Sequence, residues 1–96
     1  MRYLLFILPL LAILILSNKT PVAGDALYKK NCKVCHGNDG TKGFLGAKNL
    51  KVSSLETMAI VQQIREGKGP MPSFKKKFSE EELAVLADYV KSLRQP

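Results

Sequence analysis

Apolar positions along the chain fall into one unbroken block and three periodic stretches. The block, Tyr3–Leu16, is interrupted only by Pro9. Met1-Arg2 precedes it, and polar Ser17-Asn18-Lys19-Thr20 and then the small residues Ala23 and Gly24 follow. A charged start, an apolar centre and a small-residue end is the order of a secretory signal. As a helix this run reaches about 21 Å, against about 30 Å of hydrocarbon. A cleaved leader over residues 1–23 is therefore predicted, with cleavage after Ala23, or alternatively after Ser17 or Gly24. Retention of residues 3–16 as a membrane anchor is the competing reading. The leader holds no cysteine for lipid attachment.

The periodic stretches lie in residues 24–96 and predict helices. The first runs from about Gly24 to Val34. The second starts at Ser53, which with Glu56 three residues on has the spacing of a capping box, and stops at Gly67. Its apolar stripe is Leu55, Met58, Ala59 and Val61–Ile64. The third is the clearest. Ser79 and Glu82 form a second capping box, Phe78 precedes the cap as a staple for Leu83, and Leu83, Leu86, Ala87, Val90 and Leu93 recur at helical spacing. No run alternates like a strand. The glycines and prolines of Gly67–Phe74, and the glycines between Gly37 and Leu50, mark irregular loops. The fold class is all-α, one small domain over 24–96.

A domain this short buries only about 60% of its unfolded surface, so a disulfide, metal or cofactor is a reasonable staple. The chain carries 15 basic and 8 acidic residues, a net +7; losing Arg2 and Lys19 with the leader reduces this to +5. The basic excess favours acidic protein partners. No arginine-rich or aromatic-interleaved run points to nucleic acid.

The chemistry is concentrated in five residues. The two cysteines, Cys32 and Cys35, and the single histidine, His36, form Cys-x-x-Cys-His. This is the attachment signature of c-type haem. Two thiols three positions apart share one face of a helical turn and can reach the two vinyl groups on one porphyrin edge, and the adjacent imidazole projects to the iron. A thioredoxin-like redox pair needs a βαβ context that is missing, and a zinc site needs four ligands. A plain disulfide is the remaining alternative. For the second axial position Met71 is the best placed, in the Gly69-Pro70-Met71-Pro72 loop. Thioether is a soft ligand, and flanking prolines hold the loop at a reduced ordering cost. Met58 is the internal competitor, but its helical position reads as core packing, and an iron with no second protein ligand is the third possibility.

These residues resemble the class I cytochromes c, particularly the small soluble bacterial kind with one haem. The match spans nearly all of the chain after the leader. Gly24 and Tyr28 stand eight and four positions before Cys32, where that family has a small residue and an aromatic, and Tyr89 resembles the aromatic that packs on them. The resemblance implies a crossing of the first and last helices, and a small cytochrome c fold of three main helices and loops around one covalent haem c. Met71-Pro72-x-Phe74 looks like the family's methionine-ligand motif. Gly46-Ala47-Lys48-Asn49-Leu50 looks like its Gly-x-Pro-x-Leu loop, with Lys48 in place of the proline. In the family a carbonyl near there accepts a hydrogen bond from the ring of the proximal histidine, and the substitution leaves that acceptor unassigned.

The expected function is single-electron transfer between respiratory or photosynthetic redox proteins outside the cytoplasm, without catalysis, by a monomer. Lys75-Lys76-Lys77, extended by Lys29, Lys30 and Lys33, reads either as a docking patch for an acidic partner or as a solubilising run. Glu80-Glu81-Glu82 suits the positive end of the last helix. Competing functions are a cytochrome subunit of a membrane redox complex, a haem-based ligand sensor with an open sixth position and, most weakly, a peroxidase.

Overall fold

Ser79 and Glu82 begin the last helix as their spacing predicts. Glu82 N donates to Ser79 Oγ at 3.1 Å and Ser79 N to Glu82 Oε1 at 2.9 Å, the complete capping box. The structure, a computed structural model, describes residues 23–95. Its helices are α1 (Gly24–Asn31), α2 (Lys33–His36), α3 (Thr57–Glu66) and α4 (Glu80–Ser92), with 3-10 turns at Phe44–Gly46 and Leu50–Val52. Among the described residues there is no strand, and none of the helices is long and apolar enough to cross a membrane. Apart from Ala23, the leader assigned to residues 1–23, with its possible anchor at residues 3–16, lies outside the described residues.

Two contacts fix how α1 crosses α4. A Cβ on Gly24 would sit 3.0 Å from both Cγ1 and the carbonyl oxygen of Val85, so any other residue would press the two helices apart by a few tenths of an ångström. One turn later the Tyr28 and Tyr89 rings meet with centroids 5.0 Å apart. The Tyr28 ring is fully buried, and its hydroxyl donates to the Gly37 carbonyl at 2.6 Å, tying α1 to the end of α2. The implied crossing of first and last helices is thus present. Ile60, Val61 and Ile64 of α3 join Leu83, Leu86, Ala87 and Val90 of α4 in one core, with Phe74 and Phe78 stacked 5.1 Å apart between the two helices in sequence. Each such side chain contributes about 1.5–3 kcal/mol when fully buried. On the surface, Arg65 of α3 pairs with Glu80 of α4 at 2.5 Å.

Three expectations need correction. First, α1 ends at Asn31, not Val34: Cys32 departs from helical geometry at φ −116°, and the chain resumes as the separate turn α2. Second, Ser53 does not cap α3. It is extended (φ −68°, ψ 140°), its Oγ accepts instead from Leu55 N at 3.3 Å, and the helix begins at Thr57 with Ile60 N donating to Glu56 O. The Leu55 carbonyl is taken by the Arg94 side chain, a tertiary bond that overrides the local capping signal. Third, Met58 is 76% exposed and outside the core. It lies two residues before buried Ile60, about 200° away around the helix.

Candidate functional site

The first element to build is the Cys-x-x-Cys-His turn. His36 N donates to Cys32 O at 3.0 Å and Cys35 N to the same carbonyl at 3.3 Å, so one turn of α2 gathers the three side chains. Both cysteines are free thiols, and burial, with Cys35 second, pushes the Cys32 thiol up to about 11. A reactive redox cysteine needs the opposite shift, so the pair does not resemble an activated Cys-x-x-Cys.

The next loop turns back on this helix. Lys42 N donates to His36 O at 2.9 Å, and Leu50 N to Gly40 O at 2.9 Å. Between these bonds Gly43, Leu45 and Gly46 all take positive φ, at 68°, 55° and 79°, a bend that returns residue 48 to the imidazole. There His36 Nδ1 lies 3.1 Å from the Lys48 carbonyl. A carbonyl only accepts, so Nδ1 is the donor, and in the neutral ring this tautomer leaves the Nε2 lone pair free. This is the arrangement of a metal-binding histidine whose second ring nitrogen is held by a main-chain acceptor. The acceptor that the sequence left open is therefore Lys48 itself, and a main-chain carbonyl does not need the usual proline.

Met71 is placed by a tight turn. Lys68 N donates to Met71 O at 3.0 Å and Met71 N to Lys68 O at 2.9 Å, between Gly67 and Pro72. Gly67 has φ 74°, and a Cβ there would sit 2.6 Å from Met71 O and 2.7 Å from the Pro72 carbonyl. The Met71 side chain is half-buried against the core.

Cys32, Cys35, His36 and Met71 all line one cavity of about 820 Å³; Met58 does not. The size lies within the range of about 300–1,000 Å³ usual for cofactor sites. Phe44, Leu45, Val52 and Leu55 also line it, and they are 50%, 61%, 67% and 45% exposed. Four large apolar side chains turned to one cleft are surface that a flat apolar group would cover. Asn49, Ser53 and Ser54 supply polar groups on the same lining. The residues thus fit a covalently attached haem. A second groove of about 310 Å³, along α3 from Leu55 to Gly67, contains none of the four site residues. The wall residues Phe44, Leu45 and Val52 were missed in the sequence, although apolar residues inside a glycine-rich loop were the available signal.

Comparisons with known proteins point to one family. Residues 19–90 match the family model described as "Cytochrome C oxidase, cbb3-type, subunit III". The chain is similar to cytochrome c6 of Leptolyngbya boryana, 39% identical over 74 residues that cover 71% of this chain and 86% of that one. It is also similar to cytochrome c6 of Aphanizomenon flos-aquae, 39% identical over 75 residues, covering 72% and 85%. Among solved structures, the KustC0563 c-type cytochrome superposes with a TM-score of 0.70 at 32% identity, covering 77% of this chain and all of that one.

Proposed function

The chain belongs to the small class I cytochromes c, electron carriers with one covalent haem c, and we propose that Cys32 and Cys35 form its two thioethers while His36 and Met71 ligate the iron. The observation that carries this reading is the His36 Nδ1 to Lys48 carbonyl contact, because it orients the ring and leaves Nε2 free to bind a metal. When bound, the haem supplies a one-electron couple at its iron.

The residues of the chain do the rest. Lys48 O holds the His36 ring in one orientation and one tautomer. The Lys68–Met71 turn presents a soft thioether to the same cavity, and such a ligand favours a raised potential. With His36 and Met71 both holding the iron, no small substrate would reach it, which suits an outer-sphere carrier and not an enzyme. Phe44, Leu45, Val52 and Leu55 line the cleft and would pack on the bound haem, keeping water from it. Lys75, Lys76 and Lys77 form an exposed turn directly after Phe74, and we assign them to the docking of an acidic redox partner. The carrier is exported by its leader and works outside the cytoplasm as a monomer.

Visible spectra of protein matured in a host competent for c-type haem attachment test the assignment. A reduced c-type spectrum, a ferric Met–iron band and no response to carbon monoxide are expected. Met71→Ala should keep the covalent haem, lose the band and bind carbon monoxide. A Met71→Ala protein that keeps the band removes Met71 from the iron, and free thiols in the matured protein remove the cysteines from the haem.

A further inference from the structure

The C-terminal residues are bonded three times to residues 51–57, once at Leu55 of the cleft wall and once at each end of the segment. Lys91 Nζ donates to Thr57 Oγ1 at 2.9 Å, the Arg94 guanidinium donates through Nη2 to the Leu55 carbonyl, and Gln95 N donates to Lys51 O at 3.1 Å. The segment they hold, residues 51–57, is irregular where it walls the cavity. Val52, Ser53, Ser54 and Leu55 all line the cavity, and residues 53–56 belong to no helix or strand. Lys51 is tied to Asn49 and Asp39, but residues 53–55 themselves have only the weak Ser53 to Leu55 turn, so their position depends on the bond from Arg94.

Arg94 is the centre of this strap. The ion pairs among the described residues are Lys51 with Asp39 and Arg65 with Glu80, so Arg94 has no acidic partner there. Its Nε is buried and finds no acceptor among the described residues. That nitrogen is inaccessible even with the cavity open, so it does not face the cleft. A buried polar group left unpaired needs an account, and here the guanidinium is held by what its other nitrogen does at Leu55.

We propose that Arg94 is a positioning residue for the haem cleft: through the Leu55 carbonyl it holds the 51–57 wall closed and keeps water from the iron. The inference rests on the haem assignment above. A charged donor on an otherwise unbonded carbonyl is the strongest of the three ties. Releasing it lets the wall open locally without unfolding the α1–α4 core. Water admitted to the cleft stabilises the more highly charged ferric state, as does loss of a positive charge from the protein, so both effects lower the potential.

The test uses the matured holoprotein with three variants. Arg94→Met keeps the aliphatic bulk and removes the donors, Arg94→Lys keeps the charge and one donor, and Lys91→Met releases the neighbouring tie. Wild type must first show covalent haem; its absence overturns the site assignment itself and is seen before any variant is compared. In Arg94→Met, amides of 51–57 are expected to exchange with solvent about tenfold faster. The ferric-to-ferrous ratio at fixed ambient potential is expected to rise about threefold, which is about 28 mV at 59 mV per decade. Arg94→Lys should recover part of both changes, and Lys91→Met should show both in smaller degree. Unchanged exchange and unchanged potential in Arg94→Met, with only a lower Tm, overturn the proposal. If Arg94→Met does not fold, Lys91→Met and Arg94→Lys carry the same two readouts, and wild-type values in both overturn it equally.

Discussion

Tyr28 has no exposed surface, and its hydroxyl meets a carbonyl, an arrangement that only the protonated phenol can keep. Burial first, and then the neighbouring Cys32, pushes its pKa up to about 12 from the ordinary 10. The folded protein therefore favours the proton. This contribution to stability is complete below pH 10 and is lost as pH rises toward 12. Thermal melts from pH 8 to 12 should show it, and Tyr28→Phe should flatten the alkaline fall while costing about 1 kcal/mol at neutral pH. The shift of Asp39 has the opposite sign. Hydrogen bonds from Thr41 lower its pKa, so its contribution is present above the ordinary carboxylate range and fades on acidification. At this scale the sequence was most legible: Cys32, Cys35 and His36, predicted from their spacing, the helical pattern and the Met71 loop, line one cavity with Met71. The Lys48 carbonyl was not legible as an acceptor, because a main-chain group has no letter of its own.

Among the elements, α4 and the Met71 loop are stabilised by different means and should fail differently. Ser79→Ala removes one half of the capping box, which costs about 1 kcal/mol. In a domain this small, 1 kcal/mol lowers Tm by about 4–8 °C. The visible spectrum should not change, since neither Ser79 nor Glu82 lines the cavity that holds the four site residues. Gly67→Ala acts on the site. It forces a side chain into positive φ and against the carbonyls of Met71 and Pro72, at a cost of about 2 kcal/mol or more. The ferric Met–iron band should weaken or vanish while the covalent haem persists; a normal band would show that the turn does not set the methionine. The two predicted capping boxes show where element-level reading succeeds. Ser79 and Ser53 carry the same local signal, and only Ser79 caps a helix. At Ser53 the competing bond from Arg94 to Leu55, 39 residues apart, was invisible to any local rule. The periodicity of α4 predicted its buried face well. In α3 the misplaced start shifted the reading, and Met58 was assigned to a face it does not occupy.

Across the whole molecule, a cleft lined by exposed Phe44, Leu45, Val52 and Leu55 explains why so small a core suffices. The folded chain is completed by the group it binds, and removing haem should lower stability much more than any single substitution discussed above. The same view accounts for what the sequence could not show. The helix crossing was legible only through family resemblance, because Gly24 and Tyr89 are 65 positions apart and nothing local joins them. The cleft wall left only a faint signal, apolar residues inside a glycine-rich loop, since its residues have meaning only around the cofactor. Basic charge gives the final prediction at this scale. Replacing Lys75, Lys76 and Lys77 together by glutamate should slow electron transfer to an acidic partner at low salt, and the difference should shrink as ionic strength rises. Equal rates at low salt would make the three lysines a solubilising run.

The contact between His36 and residue 48 has a consequence for how such a carrier can change over generations. The ring is held by an atom that every amino acid possesses, while the side chain at that position is exposed to solvent. Selection on the metal therefore sees the path of the main chain, and selection on the outer surface sees the side chain. A lineage can exchange its lysine there, and with it a charge presented to passing partners, while the imidazole keeps its grip. Recognition and redox chemistry can drift apart at a single residue.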